Sequence, residues 1–315
     1  QNHTITGLYV EGGRAGLGFF GEVRTGTVKN FTIYGEVVVN TEVNYVGGVI
    51  GSTCGLNGSD HGLEHNGATI QNITSYVNLT AKTHGIGMVG GFIGYANHET
   101  LIENCSWYGT FDAGIYRVDS GAGGFIGRIY DSANVTIRNC AAYGTIKTAY
   151  KSGTFENYST IYIGGFLSYS PSGAQTVLEN NLWAGEIINN TDLEASNAHL
   201  SAFGTMTSFQ SITNCYALNS TPYVTTNNEN DNDNGITTVT AERLASGEIA
   251  YLLQGEQKTQ VWGQNIDNGE MADAYPVLGG AKVYKHTFDF GKVYSNLETF
   301  DMTPHGKCGD KLYWN

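Results

Sequence analysis

The apolar positions of this chain are grouped in short steps between glycines, and each step is followed by an asparagine-led strand. The step reads Gly47-Gly48-Val49-Ile50-Gly51, Gly90-Gly91-Phe92-Ile93-Gly94, Gly123-Gly124-Phe125-Ile126-Gly127 and Gly164-Gly165-Phe166-Leu167-Ser168. An opening copy lies at Gly18-Phe19-Phe20-Gly21 and a degenerate one at Ser201-Ala202-Phe203-Gly204. The strand element recurs as Lys29-Asn30-Phe31, Gln71-Asn72-Ile73, Glu103-Asn104-Cys105, Arg138-Asn139-Cys140, Glu179-Asn180-Asn181 and Thr213-Asn214-Cys215. The asparagines are separated by 42, 32, 35, 41 and 34 residues. A helical repeat holds its period more tightly, whereas a β-solenoid accepts insertions at the corners of a coil. The pattern predicts an all-β chain, a right-handed parallel β-solenoid (β-helix) of about six irregular coils from residue 3 to 224.

Within a coil the order reads strand, short turn, strand: Met88 to Tyr95, Thr100 to Trp107, then Gly109 to Phe111. Asparagine suits a repeated corner because its amide bonds turn backbone and stacks on the same residue one coil away. The glycine pairs permit backbone angles closed to other residues and leave room for close approach, so that Phe92, Phe125 and Phe166 stack in the core. The same reading assigns Tyr34, Tyr76, Tyr108 and Tyr143, four residues past their asparagines, to the interior.

Three departures from the repeat mark inserted loops: Cys54 to Ala68, Ala113 to Gly121 and Thr148 to Thr160. Insertions in solenoids tend to gather on one face and to carry the binding site. Beyond residue 224 the repetition stops. Residues 225–238 read as a polar linker or loop, and 239–315 as a C-terminal capping region. A short helix is expected from Thr240, with Leu244, Ile249, Leu252 and Leu253 on its apolar side and Gly255 ending it.

Composition narrows the function. The net charge of −13 and the scattered 16 Lys and Arg exclude a nucleic-acid partner. No apolar run is long enough to span a bilayer. The start at Gln1 reads as a mature or excised piece, fitting part of a larger multidomain chain. Of five cysteines, Cys105, Cys140 and Cys215 share one repeat position. Stacked buried thiols, a Cys105–Cys140 disulfide across coils about 4.8 Å apart, and a metal site are the three readings, the first preferred. Cys54 and Cys308 fall outside the register, and their pairing is open.

The glycine steps, the Asn-Cys strands and the ending Ser246-Gly247-Glu248-Ile249-Ala250-Tyr251-Leu252-Leu253, Val261-Trp262-Gly263-Gln264 and Ala274-Tyr275-Pro276-Val277-Leu278 resemble bacterial cell-surface and secreted proteins with GLUG-type repeats, over roughly residues 17 to 284. The resemblance implies an extracellular or cell-surface bacterial setting. Such repeats accompany peptidases, adhesins and carbohydrate-active modules without carrying their catalytic residues.

Zinc-helix, nucleophile-elbow, phosphate-loop and dinucleotide signatures are missing, and no cofactor is implied. A glycosidase is still open, because its two carboxylates have no fixed spacing; the candidates on or near the loops are Asp60, Asp112, Asp119 and Asp131, with Glu64 beside them. His61, His65, His84 and His98 cluster early without ligand spacing, and Glu229, Asp231 and Asp233 alternate as in calcium loops but lack the closing glutamate. Asn-x-Ser/Thr triplets at Asn2, Asn57, Asn72, Asn78, Asn134 and Asn219 are read as chance products of an Asn- and Thr-rich chain. The first functional expectation is a non-catalytic module that binds or displays, contacting glycans or another surface macromolecule, with Tyr116, Tyr150 and Tyr158 as sugar-stacking candidates. The alternative is a glycan-degrading enzyme using paired carboxylates on a β-helix.

Overall fold

The computed structural model describes residues 3–12, 16–53, 67–83, 86–114, 121–149, 161–190, 198–204, 209–219, 235–266, 272–285 and 311–313. The chain divides into two compact units, Gln1–Val239 and Thr240–Asn315.

The first unit is the right-handed parallel β-solenoid that the repeat predicts. One coil shows the plan: strands Ile86–Gly90, Ile93–Ala96, Glu99–Glu103, Ser106–Trp107 and Thr110–Asp112 follow each other. Each pairs in parallel with its equivalents in neighbouring coils, as Glu99–Glu103 does with Asn134–Arg138 and with Gly67–Ala81. The strands therefore gather into a fifteen-stranded, a six-stranded and a five-stranded sheet. The glycine step Gly90 to Gly94 is a break between two strands, where the sequence read one continuous strand from Met88 to Tyr95. Conversely, Thr25–Val39 and Gly67–Ala81 run unbroken for 15 residues through what later coils divide into three.

The corners obey the asparagine pattern. Asn30, Asn72, Asn104, Asn139, Asn180 and Asn214 all hold φ between 53° and 65°, the left-handed region that Asn tolerates better than other Cβ-bearing residues. Asn72 Nδ2 donates to Asn30 Oδ1 at 2.9 Å, Asn104 to Asn72 at 3.1 Å and Asn214 to Asn180 at 2.7 Å. Inside the coil, Phe92, Phe125, Phe166 and Phe203 stack with centroids 4.8, 5.0 and 4.6 Å apart and are fully buried. The repeat glycines have a narrower role than the sequence assigned them: Gly90, Gly91, Gly123 and Gly124 keep negative φ. Close approach is what excludes side chains, since a Cβ on Gly90 would lie 1.8 Å from Ile93 O and 2.8 Å from Gly127 N.

One expectation is corrected here. Tyr34, Tyr76, Tyr108 and Tyr143 do stack, at 4.6, 4.9 and 4.5 Å, but Tyr34 and Tyr76 are 41% and 36% exposed and only Tyr143 is buried. Alternation along the strand sends Ile33 and Ser75 inward and the tyrosines next to them outward. Cys105, Cys140 and Cys215 are buried thiols, and Asn181 takes the position between the last two. Its Nδ2 donates to Ile137 O at 2.8 Å and its Oδ1 accepts from Cys140 N at 2.9 Å. Burial pushes the Cys140 thiol well up, helped by the adjacent Cys105, and pushes Cys215 up to about 12. No disulfide joins Cys105 to Cys140.

Ile236–Val239 adds in parallel to Cys215–Leu218, so strand begins before the end of the segment read as linker. In the second unit two helices stand where one was expected: α1 (Ala241–Ala245), capped by Thr240, and α2 (Glu248–Gln254), which ends at Gly255. Gly247, at φ 85°, breaks them. Trp262–Gly263 pairs antiparallel with Val277–Leu278, and Gln264 Nε2 donates to Leu244 O at 2.8 Å and to Asp273 O at 3.0 Å. Among the described residues no helix is long and apolar enough to cross a membrane.

Candidate functional site

The outer face of the fifteen-stranded sheet carries a groove of about 450 Å³ that runs across neighbouring coils. Its lining repeats with the coil. One column contributes Gly67, Glu99, Asn134 and Gln175, the next Thr69, Leu101, Thr136 and Val177, and Gln210 closes the far end. The four spacings of about 4.8 Å between five strands make the groove roughly 19 Å long.

The backbone sets this column in place. Thr100 Oγ1 donates to Asn97 O at 2.7 Å, and Asn97 N donates to Thr53 Oγ1 at 2.8 Å, a buried cluster that fixes the corner ahead of Glu99. In later coils Asn134 N donates to His98 O at 2.9 Å, Gln175 N to Ala133 O at 2.8 Å and Gln210 N to Thr176 O at 2.8 Å. Alternation then turns Ile70, Ile102, Ile137 and Leu178 into the core and leaves Thr69, Leu101, Thr136 and Val177 half-buried on the groove floor.

The side chains of Glu99, Asn134, Gln175 and Gln210 are exposed, and none makes a side-chain hydrogen bond or ion pair among the described residues. The neighbouring outer column behaves differently. Gln71 Nε2 donates to Glu103 Oε2 at 2.9 Å and Arg138 Nε to Glu103 Oε1 at 2.7 Å, so those groups satisfy each other along the axis. The groove thus presents three uncommitted amides and one carboxylate beside a floor in which Thr69 and Thr136 alternate with Leu101 and Val177.

Of the residues singled out from sequence, Asp112 and Asp131 are described and neither lines the groove. Asp112 is half-buried in strand Thr110–Asp112, where Oδ1 accepts from Gly114 N at 2.9 Å, and Asp131 is an exposed turn residue. Asp60, Glu64, Asp119, Tyr116, Tyr150 and Tyr158 lie outside the described residues, as do His61, His65, His84, Cys54, Cys308 and Glu229 to Asp233. Among the described residues no group of three His, Cys, Asp or Glu could hold a metal ion. Sequence reasoning missed Glu99, Asn134, Gln175 and Gln210 because they lie within or beside strands and not on the insertions. A shared signal was available: a polar residue opens three consecutive strands, Glu99–Glu103, Asn134–Arg138 and Gln175–Glu179.

No protein-family model matches this chain, and no curated protein matches it. The chain is similar to the crystal structure of a proposed immunoglobulin A1 protease from Bacteroides ovatus. It is 17% identical, with a TM-score of 0.45, over 88% of this chain and 75% of that one.

Proposed function

We propose that this chain is a non-catalytic binding module of an extracellular bacterial surface protein, and that it holds an extended glycan along the groove. The observation that carries the reading is the column Glu99, Asn134, Gln175, exposed and uncommitted at one polar side chain per coil. A regular polymer of hydroxyl-bearing rings meets a regular row of donors and acceptors, since each amide offers both. Leu101 and Val177 supply apolar contact for the ring faces, and a rigid scaffold limits the ordering cost of binding. The extracellular bacterial setting is the one implied by the resemblance to GLUG-type repeats.

A glycan-degrading enzyme needs an acid and a second carboxylate about 5–9.5 Å apart across the scissile bond. Glu99 is the one carboxylate among the groove's lining residues, so binding is the better-supported reading. A glycan array probed with the whole chain, run beside an assay for released reducing ends, tests both readings. Retention without release is expected, and release of reducing ends would replace this proposal with the enzyme.

A further inference from the structure

Six arginines occur in the chain, and four of them are described. Arg24 pairs with Glu22, Arg138 with Glu103 at 2.7 Å, and Arg243 with Glu248 at 2.6 Å. Arg128 has no carboxylate partner among the described residues, in a chain with 29 acidic residues against 16 basic ones. It sits in the five-stranded sheet, away from the strands that form the groove, with Tyr95 and Tyr169 as its register neighbours in the coils on either side. Its guanidinium carbon lies 4.6 Å from the centre of the Tyr169 ring. Tyr45 stacks on Tyr95 at 4.6 Å and 4°, and the exposed Tyr130 meets Tyr95 edge-on at 6.0 Å. The Arg128 side chain is half-buried, and its Nε is buried with no hydrogen-bond partner.

We propose that Arg128 and the tyrosines of its column form a second binding site on this chain, one that takes the carboxylate of an acidic sugar such as a uronic or sialic acid. The sugar half of this statement rests on the glycan-binding reading; the carboxylate half rests on Arg128 alone. A guanidinium presents a planar fork that matches a carboxylate with two parallel hydrogen bonds. Stacking on Tyr169 holds that plane in position before a ligand arrives, and a partly buried setting weakens competition from water. The Nε is shut off from solvent, so the Nη1–Nη2 edge is the side of the fork that meets a carboxylate. Tyr95 is buried, and the exposed Tyr130 that meets it offers an apolar ring to the carbons of a sugar and a hydroxyl to its periphery. The other described arginines differ in that each is already paired with a glutamate.

The test titrates the whole chain with methyl glucuronide and with the methyl ester of the same sugar, which keeps the ring and removes the charge. Wild type is expected to bind the acid at least tenfold more tightly than the ester, with a preference that weakens as salt is raised. Arg128→Gln should bring the acid down to the level of the ester, Arg128→Lys should fall between, and Arg138→Gln should change nothing. Circular dichroism of each variant separates loss of the site from loss of the fold. An Arg128→Gln variant that folds and keeps the preference would overturn the proposal, as would a wild type that binds acid and ester equally. A short peptide with a free C-terminal carboxylate is the competing occupant, and tighter binding of that peptide than of the uronide would also overturn it. Replacing Asn134 and Gln175 by Ala should leave the acid preference intact. If wild type binds no neutral glycan but keeps its preference for the acid, the groove reading fails and this one stands.

Discussion

The side-chain amide of Asn72 donates to Oδ1 of Asn30 at 2.9 Å across 42 residues of sequence, and both residues hold left-handed backbone. One residue type thus solves two problems at this corner. It tolerates a positive φ that is costly for most side chains, and it ties its coil to the preceding one.

The two roles separate by substitution at Asn72. Asn72→Ala leaves a Cβ at φ 53° and removes both ladder bonds, whereas Asn72→Gly removes the bonds but relaxes the backbone. The alanine variant should be less stable than the glycine variant by about 1–2 kcal/mol, read from urea midpoints. Equal midpoints would mean that the corner conformation carries no cost.

Gly90 should tolerate no side chain at all. A Cβ there meets Ile93 O at 1.8 Å and Gly127 N at 2.8 Å, and both are backbone atoms that cannot swing aside. Gly90→Ala is expected to cost about 3 kcal/mol or more, because overpacking must push two strands apart. Gly21→Ala, where the nearest atom is Gly16 O at 3.2 Å, should cost far less. Thermal melts of the two variants side by side make the comparison, and similar melting points would contradict it.

The scaffold was readable from sequence because its two constraints are local and repeat. A corner that needs left-handed backbone selects Asn at 30, 72, 104, 139, 180 and 214, and a core stack selects Phe at 92, 125, 166 and 203. The tyrosines were misplaced because repetition signals stacking without saying on which face, and only strand alternation puts Tyr34 and Tyr76 outside. The groove was harder to read for a related reason. Glu99, Asn134 and Gln175 differ in type, so they do not register as a repeat, and their adjacency follows from strand register rather than from sequence spacing.

The buried thiols predict a one-sided response to alkali. Cys215 is pushed up to about 12 by burial, with Asn181 and Thr213 pulling weakly the other way. In the unfolded chain a thiol titrates near about 8.5, so above that pH the unfolded state binds fewer protons than the folded state. Stability must then fall with rising pH, beginning near about 8.5 and continuing toward the folded value, by about 1.4 kcal/mol per pH unit for this group. Cys215→Ala should lose that contribution, visible as a shallower decline between pH 9 and 10.5 in urea titrations. Parallel pH profiles for the two proteins would show that the thiol is not held protonated by the fold.

The central claim is that the groove column binds an extended glycan, and calorimetric titration of the whole chain against neutral oligosaccharides of two to six sugars tests it most directly. The panel comprises β-linked glucose, xylose, mannose and N-acetylglucosamine chains. At least one series should bind with an affinity that climbs with length and levels off once the roughly 19 Å groove of five strands is filled. Asn134→Ala with Gln175→Ala should weaken that binding at least tenfold while leaving circular dichroism unchanged. If no chain in the panel binds, or if the folded double variant binds as tightly as wild type, the groove is not the glycan site.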